Sequence, residues 1–149
     1  MSKTIFFRET SPFGAMDTPL RSNPHTGIDV ATYTGTPLPS VSEGEVVRVL
    51  NDASCGIGLK VRNGDTDVIY CHLSEVHVKV GEKVGLGEII GKTGNTGNSS
   101  GPHLHLAAKE NGQYVDPREY IDMLQSLARK ILDPDWATAM FSAVFKFII

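Results

Sequence analysis

The chain has little of what marks the specialised protein classes. In 149 residues it has two cysteines, one tryptophan and five histidines. Cys55 and Cys71 form no C-x-x-C pair and no zinc-knuckle spacing, so nothing here reads as a cysteine-held metal site. One disulfide between them is compatible with the sequence, and their spacing leaves that open. Positive charge is not in excess. Fourteen Lys and Arg stand against 17 Asp and Glu, a net charge of -3, which excludes the basic face of a nucleic-acid binder. No apolar run reaches the roughly 20 residues of a membrane span. Met1 to Arg8 lacks the apolar core of a signal peptide. The protein is therefore expected to be made in the cytosol and to act after release by another route, unless a leader has been removed.

The length suits one domain with a real core, and frequent Gly and Pro point to short strands and many turns. Residues 5–20 read as an irregular lead-in with a turn at Ser11-Pro12-Phe13-Gly14. Pro39-Ser40-Val41 and Glu45 to Leu50 flank Glu43-Gly44 in a hairpin-like pattern. Gly58 to Arg62 and Asp67 to His72 flank Asn63-Gly64, the strongest short-range hairpin signal. Val80 to Gly91, with its closely spaced glycines, reads as short strands and tight turns. Asp116 suits an N-cap, Pro117 a first helical position, and Glu119 a capping box. Tyr120, Ile121, Leu124, Leu127, Ala128 and Ile131 mark one face of an amphipathic helix over 117–132. The apolar tail, 133–149, reads as a second helix that docks on the domain or on another copy. A membrane surface or a protein partner is the sharper alternative for its residues 136–149.

The histidines break this ordinary picture. His103 and His105 are two apart in Gly101-Pro102-His103-Leu104-His105-Leu106, so on a strand they share a face while Leu104 and Leu106 face a core. Paired histidines on one face suggest a metal. His25 and Asp29 lie in a segment whose Pro24 and Gly27 argue against a helix; Gly27 is expected to bend the backbone so that the two converge. His72 ends the second arm of the Asn-Gly hairpin. His77 alternates with Lys79 and reads as a surface residue. There is no H-E-x-x-H, so the helix-borne glutamate base of many metalloproteases is missing. Five candidates, His25, Asp29, His72, His103 and His105, exceed the three protein ligands of a catalytic zinc site. The surplus suits proton transfer and oxyanion stabilisation.

His25-x-x-x-Asp29, then His72-Leu73-Ser74, then His103-Leu104-His105 together resemble the lysostaphin/LytM-type zinc endopeptidases, the M23 peptidases. Gly27-Ile28-Asp29-Val30-Ala31, Tyr70-Cys71-His72-Leu73 and the loop Thr93 to Ser100 before His103 support the likeness, which covers about residues 20–120 of a domain spanning 1–132. The resemblance implies a mainly β fold: an antiparallel sheet groove of duplicated hybrid motif with a C-terminal helix. It implies that His25, Asp29 and His105 hold Zn²⁺ and that His72 and His103 are the catalytic pair. The implied activity is hydrolysis of peptide bonds in bacterial peptidoglycan, in the stem peptide or the cross-bridge; separately, the absence of a signal segment and of a wall-binding domain is expected of a phage or mobile-element lysin. Asn95, Thr96 and Ser99 are expected on the substrate wall. Cys71 departs from many relatives, which carry a small residue there, and is expected to face away from His72. One alternative is a non-catalytic peptidoglycan-binding or activator module of the same fold. Another is a phosphotransfer or carrier domain, suggested by the glycine-punctuated stretch from Val80 to Gly91.

Overall fold

The computed structural model describes residues 7–17 and 22–132. The tail expectation falls on 133–149, outside the described residues. Ten strands and one helix follow in order: β1 (Arg8–Ser11), β2 (Gly27–Ala31), β3 (Pro37–Pro39), β4 (Gly44–Asp52), β5 (Gly56–Asn63), β6 (Thr66–Val76), β7 (Lys83–Val84), β8 (Ile89–Thr93), β9 (His103–Glu110), β10 (Gln113–Val115) and α1 (Arg118–Leu132). The main path through the antiparallel sheet is β1-β2-β9-β6-β5-β4-β7.

Period-two alternation sorts the side chains between two faces. Ile28 and Val30 of β2, Leu104 and Leu106 of β9, Val68 and Tyr70 of β6, and Leu59 and Val61 of β5 are buried together in the core. Ile121, Leu124 and Ala128 of α1 close that core. The Tyr70 hydroxyl, fully buried, accepts the Val41 N–H at 3.1 Å, and burial pushes its pKa up to about 12. The opposite face carries the polar residues and forms a groove. At the helix start the Asp116 carboxylate accepts the Arg118 N–H at 3.1 Å, as an N-cap should. The helix itself begins at Arg118, one residue later than expected.

Several local expectations change. The Asn-Gly hairpin forms, but Asn63 pairs with Thr66, so the two-residue loop is Gly64-Asp65. The hairpin around Glu43-Gly44 does not form. Pro39 belongs to β3, which pairs with β8, whereas β4 pairs with β5 and β7. The pattern marks two strand-like runs, but local pattern cannot specify the longer-range partner. Within the lead-in, residues 8–11 are a strand that pairs with β2. Phe7, just before it, is fully buried, so one aromatic anchors a segment of otherwise weak strand signal.

β6 organises the groove. Its first half pairs with β9 as far as Cys71 opposite His105. Its second half pairs with β8 from Leu73 opposite Thr93. His72, at the changeover, has φ 67°, the left-handed region that costs a non-glycine residue energy. Against β5 the register slips at the same place, from Tyr70–Leu59 to Leu73–Ile57. This is the signature of a bulge.

Candidate metal centre and groove

The bulge suspends strict alternation, so Cys71 and His72 both line the groove. The expectation that Cys71 faces away from His72 assumed a regular strand and is corrected here. Cys71 is bonded to Cys55. The disulfide forms part of a buried cluster with Ile69 and Ala107, which is the groove floor.

β2 and β9 bring three of the five candidates together. Asp29 and His105 are register partners. His25, just before β2, is held from behind: its Nδ1 lies 3.0 Å from the Pro12 carbonyl and 3.1 Å from the Ser11 hydroxyl. That hydroxyl donates to Asp17 at 2.6 Å, which leaves its lone pairs to accept. The His25 proton therefore sits on Nδ1, and Nε2 is a bare lone pair. Nε2 faces Asp29 Oδ1 at 3.2 Å and His105 Nδ1 at 3.1 Å. His105 Nδ1 is 2.9 Å from the same carboxylate oxygen. Gly27 makes this approach possible by having no side chain, because a Cβ there would strike the Leu106 carbonyl oxygen and the His105 ring. Close packing, rather than a bend, is its role.

His25 Nε2, His105 Nδ1 and Asp29 Oδ1 converge on one point, where a single cation satisfies all three at once. Four ligands at about 2.0–2.1 Å in a tetrahedron lie about 3.3 Å apart, close to the three spacings found here. The donor set of two imidazoles and a carboxylate fits a divalent metal ion, and these are the residues whose ligand atoms cluster. Burial alone would push the Asp29 carboxyl up. The adjoining His105 and His25 rings outweigh it and hold the group well below the usual carboxylate range.

His72 and His103 flank this triad. His72 Nδ1 lies 2.7 Å from the Thr96 carbonyl, and His103 Nδ1 lies 2.8 Å from the Gly101 carbonyl. Carbonyls only accept, so both rings carry their proton on Nδ1 and have a bare Nε2. The rings are 4.6 Å apart, and His103 Nε2 is 3.8 Å from Asp29 Oδ1. Burial, the largest influence on His72, lowers its pKa below the ordinary histidine value, against the opposing pull of the Thr96 carbonyl. His77 is exposed, bonded to Glu75 at 2.9 Å, and plays no part.

Of the expected wall residues, Ser99 lines the groove, together with Asn98 and Ser100. Asn95 supports Ser99, whose hydroxyl lies 2.6 Å from its side-chain oxygen. Thr96 is turned inward: its hydroxyl donates to the Leu73 carbonyl at 2.6 Å and accepts the Ile57 N–H at 3.1 Å. The backbone carbonyls of Pro12, Thr96 and Gly101 are the functional groups that sequence reasoning does not find, because every residue has one.

Comparison with known proteins agrees with this geometry. The chain is 38% identical over 112 residues to the peptidoglycan DD-endopeptidase ShyA of Vibrio cholerae, covering 74% of this chain and 26% of that protein. It spans about a quarter of the length of such curated relatives. The catalytic domain of a prophage-encoded M23 protein, EnpA, from Enterococcus faecalis superposes with a TM-score of 0.69 at 35% identity, covering 75% of this chain and 89% of that one. A zinc-containing peptidase from Vibrio cholerae superposes with a TM-score of 0.68 at 34% identity, covering 73% and 35%. The profile of peptidase family M23 matches residues 23–117, the segment that holds all five converging side chains, and the chain belongs to that family.

Proposed function

We propose that the chain is a zinc-dependent endopeptidase that hydrolyses peptide bonds of bacterial peptidoglycan. The observation that carries this reading is the His25–Asp29–His105 triangle with two bare imidazole nitrogens beside it, at the floor of a groove of about 740 Å³. His25, Asp29 and His105 would hold the zinc, with His72 and His103 beside it. When bound, zinc supplies a Lewis acid that polarises the scissile carbonyl and makes water a nucleophile at neutral pH.

The chain's own residues do the rest. His72, kept neutral by burial, accepts the proton of the attacking water on Nε2. The Thr96 carbonyl holds that ring in the tautomer the step requires and steadies the imidazolium it becomes. His103, anchored by the Gly101 carbonyl, stands across the same space, and its own bare Nε2 orients the attacking water as a second acceptor. The proton on His72 then passes to the leaving amine, so the site returns to its starting state.

The peptidoglycan-directed activity of ShyA and the zinc of the second Vibrio protein support the substrate and the metal. The prophage origin of EnpA supports a phage or mobile-element lysin. The Cys55–Cys71 bond suits work outside the reducing cytosol. The test is digestion of purified peptidoglycans of several cross-link types with mass spectrometry of the fragments, before and after chelation. Cleavage that stops on chelation and returns with zinc supports the reading. No cleavage by zinc-loaded protein would sink it.

A further inference from the structure

The chemistry described so far uses one end of the groove. Beyond the disulfide the groove continues over β6, β5 and β4, and its lining changes character. Arg48 and Lys60 are register partners on β4 and β5, Lys109 stands near the end of β9, and all three line the groove. In a chain of net charge -3 this is a local reversal of sign. The neighbouring acids are engaged elsewhere. Asp52 accepts the N–H groups of Ser54 and Cys55 at 3.0 and 2.7 Å. Asp67, which feels both Lys60 and Lys109, is gripped at both oxygens by Arg62, at 2.7 and 3.0 Å. Among the described residues, none of the three groove cations has a carboxylate at ion-pairing distance. Lys109 lies over the Tyr114 ring, 4.6 Å from its centre, so an aromatic face holds its ammonium at the groove edge. Between the cations the floor is apolar, Ile69 and Ala107 being 8% and 1% exposed.

We propose that this half of the groove is a subsite for a carboxylate-bearing segment of the peptide substrate, read by Arg48, Lys60 and Lys109. The inference rests on the peptidase reading above. An apolar floor between cations suits a peptide that lays small side chains downward and presents free carboxylates sideways. Distance sets where those carboxylates belong. Lys109 is four residues along β9 from His105, and Lys60 pairs with Ile69, itself opposite Ala107 two residues along β9, so at about 3.3 Å per residue and about 4.8 Å per strand the two lysine backbones stand about 12–13 Å from His105. An extended peptide advances about 3.3 Å per residue, which puts the acidic residue roughly three to four positions from the scissile bond. A bridge made only of neutral residues would leave the three cations without a partner.

The test compares cross-linked muropeptides carrying free carboxyl groups with the same muropeptides converted to carboxamides, which keeps their size and removes the charge. Zinc-loaded full-length protein should cleave the acid form with kcat/KM roughly tenfold higher, as expected for two or three partly exposed charge contacts. The ratio should shrink as salt is raised. The triple variant R48Q/K60Q/K109Q should bring the ratio to about one. Lys79→Gln, which removes one positive charge from an exposed position off the groove, should leave it unaltered. Equal cleavage of both forms by the unmodified protein would overturn the subsite and leave the peptidase reading intact. So would a triple variant that keeps the preference. No cleavage of either form would overturn both.

Discussion

His72 donates its Nδ1 proton to the backbone carbonyl of Thr96, 2.7 Å away, and this one bond ties the groove floor to its wall. The His72 N–H is also spoken for, donated to the Cys55 carbonyl at 2.8 Å. The Thr96 hydroxyl in turn bridges Leu73 and Ile57. Three segments that are distant in sequence therefore fix one imidazole whose backbone sits at φ 67°. Strain held this firmly at one residue is characteristic of functional sites.

The burial of His72 has a pH signature. Its folded-state pKa lies below the ordinary value of about 6.5, so the unfolded chain binds the proton more readily than the folded one. Its contribution to stability is therefore complete above about pH 6.5 and is lost as pH falls toward the lowered folded value. Urea unfolding of metal-free protein between about pH 4 and 8 should show a steeper acid-side loss than the same series on His72→Gln, since the two proteins differ in no other titratable group. Parallel curves would mean that His72 is not desolvated as the structure has it.

The disulfide is expected to matter for turnover more than for metal. It closes a separation of 16 residues, for which chain entropy gives about 3 kcal/mol of stabilisation. Cys55 bonds the His72 backbone, while the triad hangs on β2 and β9. Reduction, or a Cys55→Ser/Cys71→Ser pair, should lower stability by about that amount. It should also slow hydrolysis while leaving metal content close to one per chain. Loss of metal in step with activity would show that the disulfide supports the triad itself.

The site is legible in the sequence to the extent that it depends on strand alternation. His103 and His105 point into the groove because Leu104 and Leu106 are fully buried on the other side, a pattern that period two makes readable. The expectation for Cys71 fails because a left-handed residue follows it, and no local pattern announces a histidine in that conformation. The same holds for the Pro39–Leu50 region, where strand signals were present but β3 crosses to β8. Gly27 is flagged by sequence as a special position. Only the fold shows that the neighbour forbidding a side chain is Leu106 on another strand.

Gly27 should consequently be intolerant of the smallest change. In Gly27→Ala the added methyl meets a backbone carbonyl in the centre of the sheet and the edge of the His105 ring. Neither the carbonyl nor β9 can move without disturbing its pairing with β2 and β6. Overpacking of this kind costs about 1–3 kcal/mol. The same displacement should weaken metal binding, since His105 is pushed off the triangle. Thermal unfolding with a zinc titration by calorimetry checks both. An alanine variant with unchanged affinity would mean that β2 and β9 separate more easily than their packing implies.

His103 and His105 share a strand face and should nevertheless fail in different ways. His105 Nδ1 is one corner of the triangle with Asp29 and His25. Removing it in His105→Ala leaves two ligands for the metal, and both zinc content and turnover should fall to background. His103 stands 3.8 Å from Asp29 Oδ1, outside the triangle. His103→Ala should keep about one zinc per chain while losing roughly 10²–10⁴-fold in rate, the usual contribution of a group that accepts or positions a proton. His72→Ala should resemble His103→Ala in metal content, because its ring reaches the site from β6 and not from the triad strands. His77→Ala is the control, an exposed histidine whose ring pairs with Glu75, and should match the unaltered protein. Zinc per chain by elemental analysis and turnover on soluble muropeptides, with circular dichroism to confirm folding, distinguish the four. If His103→Ala lost its zinc while His105→Ala kept it, the ligand and catalytic roles would be exchanged; if neither lost zinc, the metal would lie away from the triangle altogether.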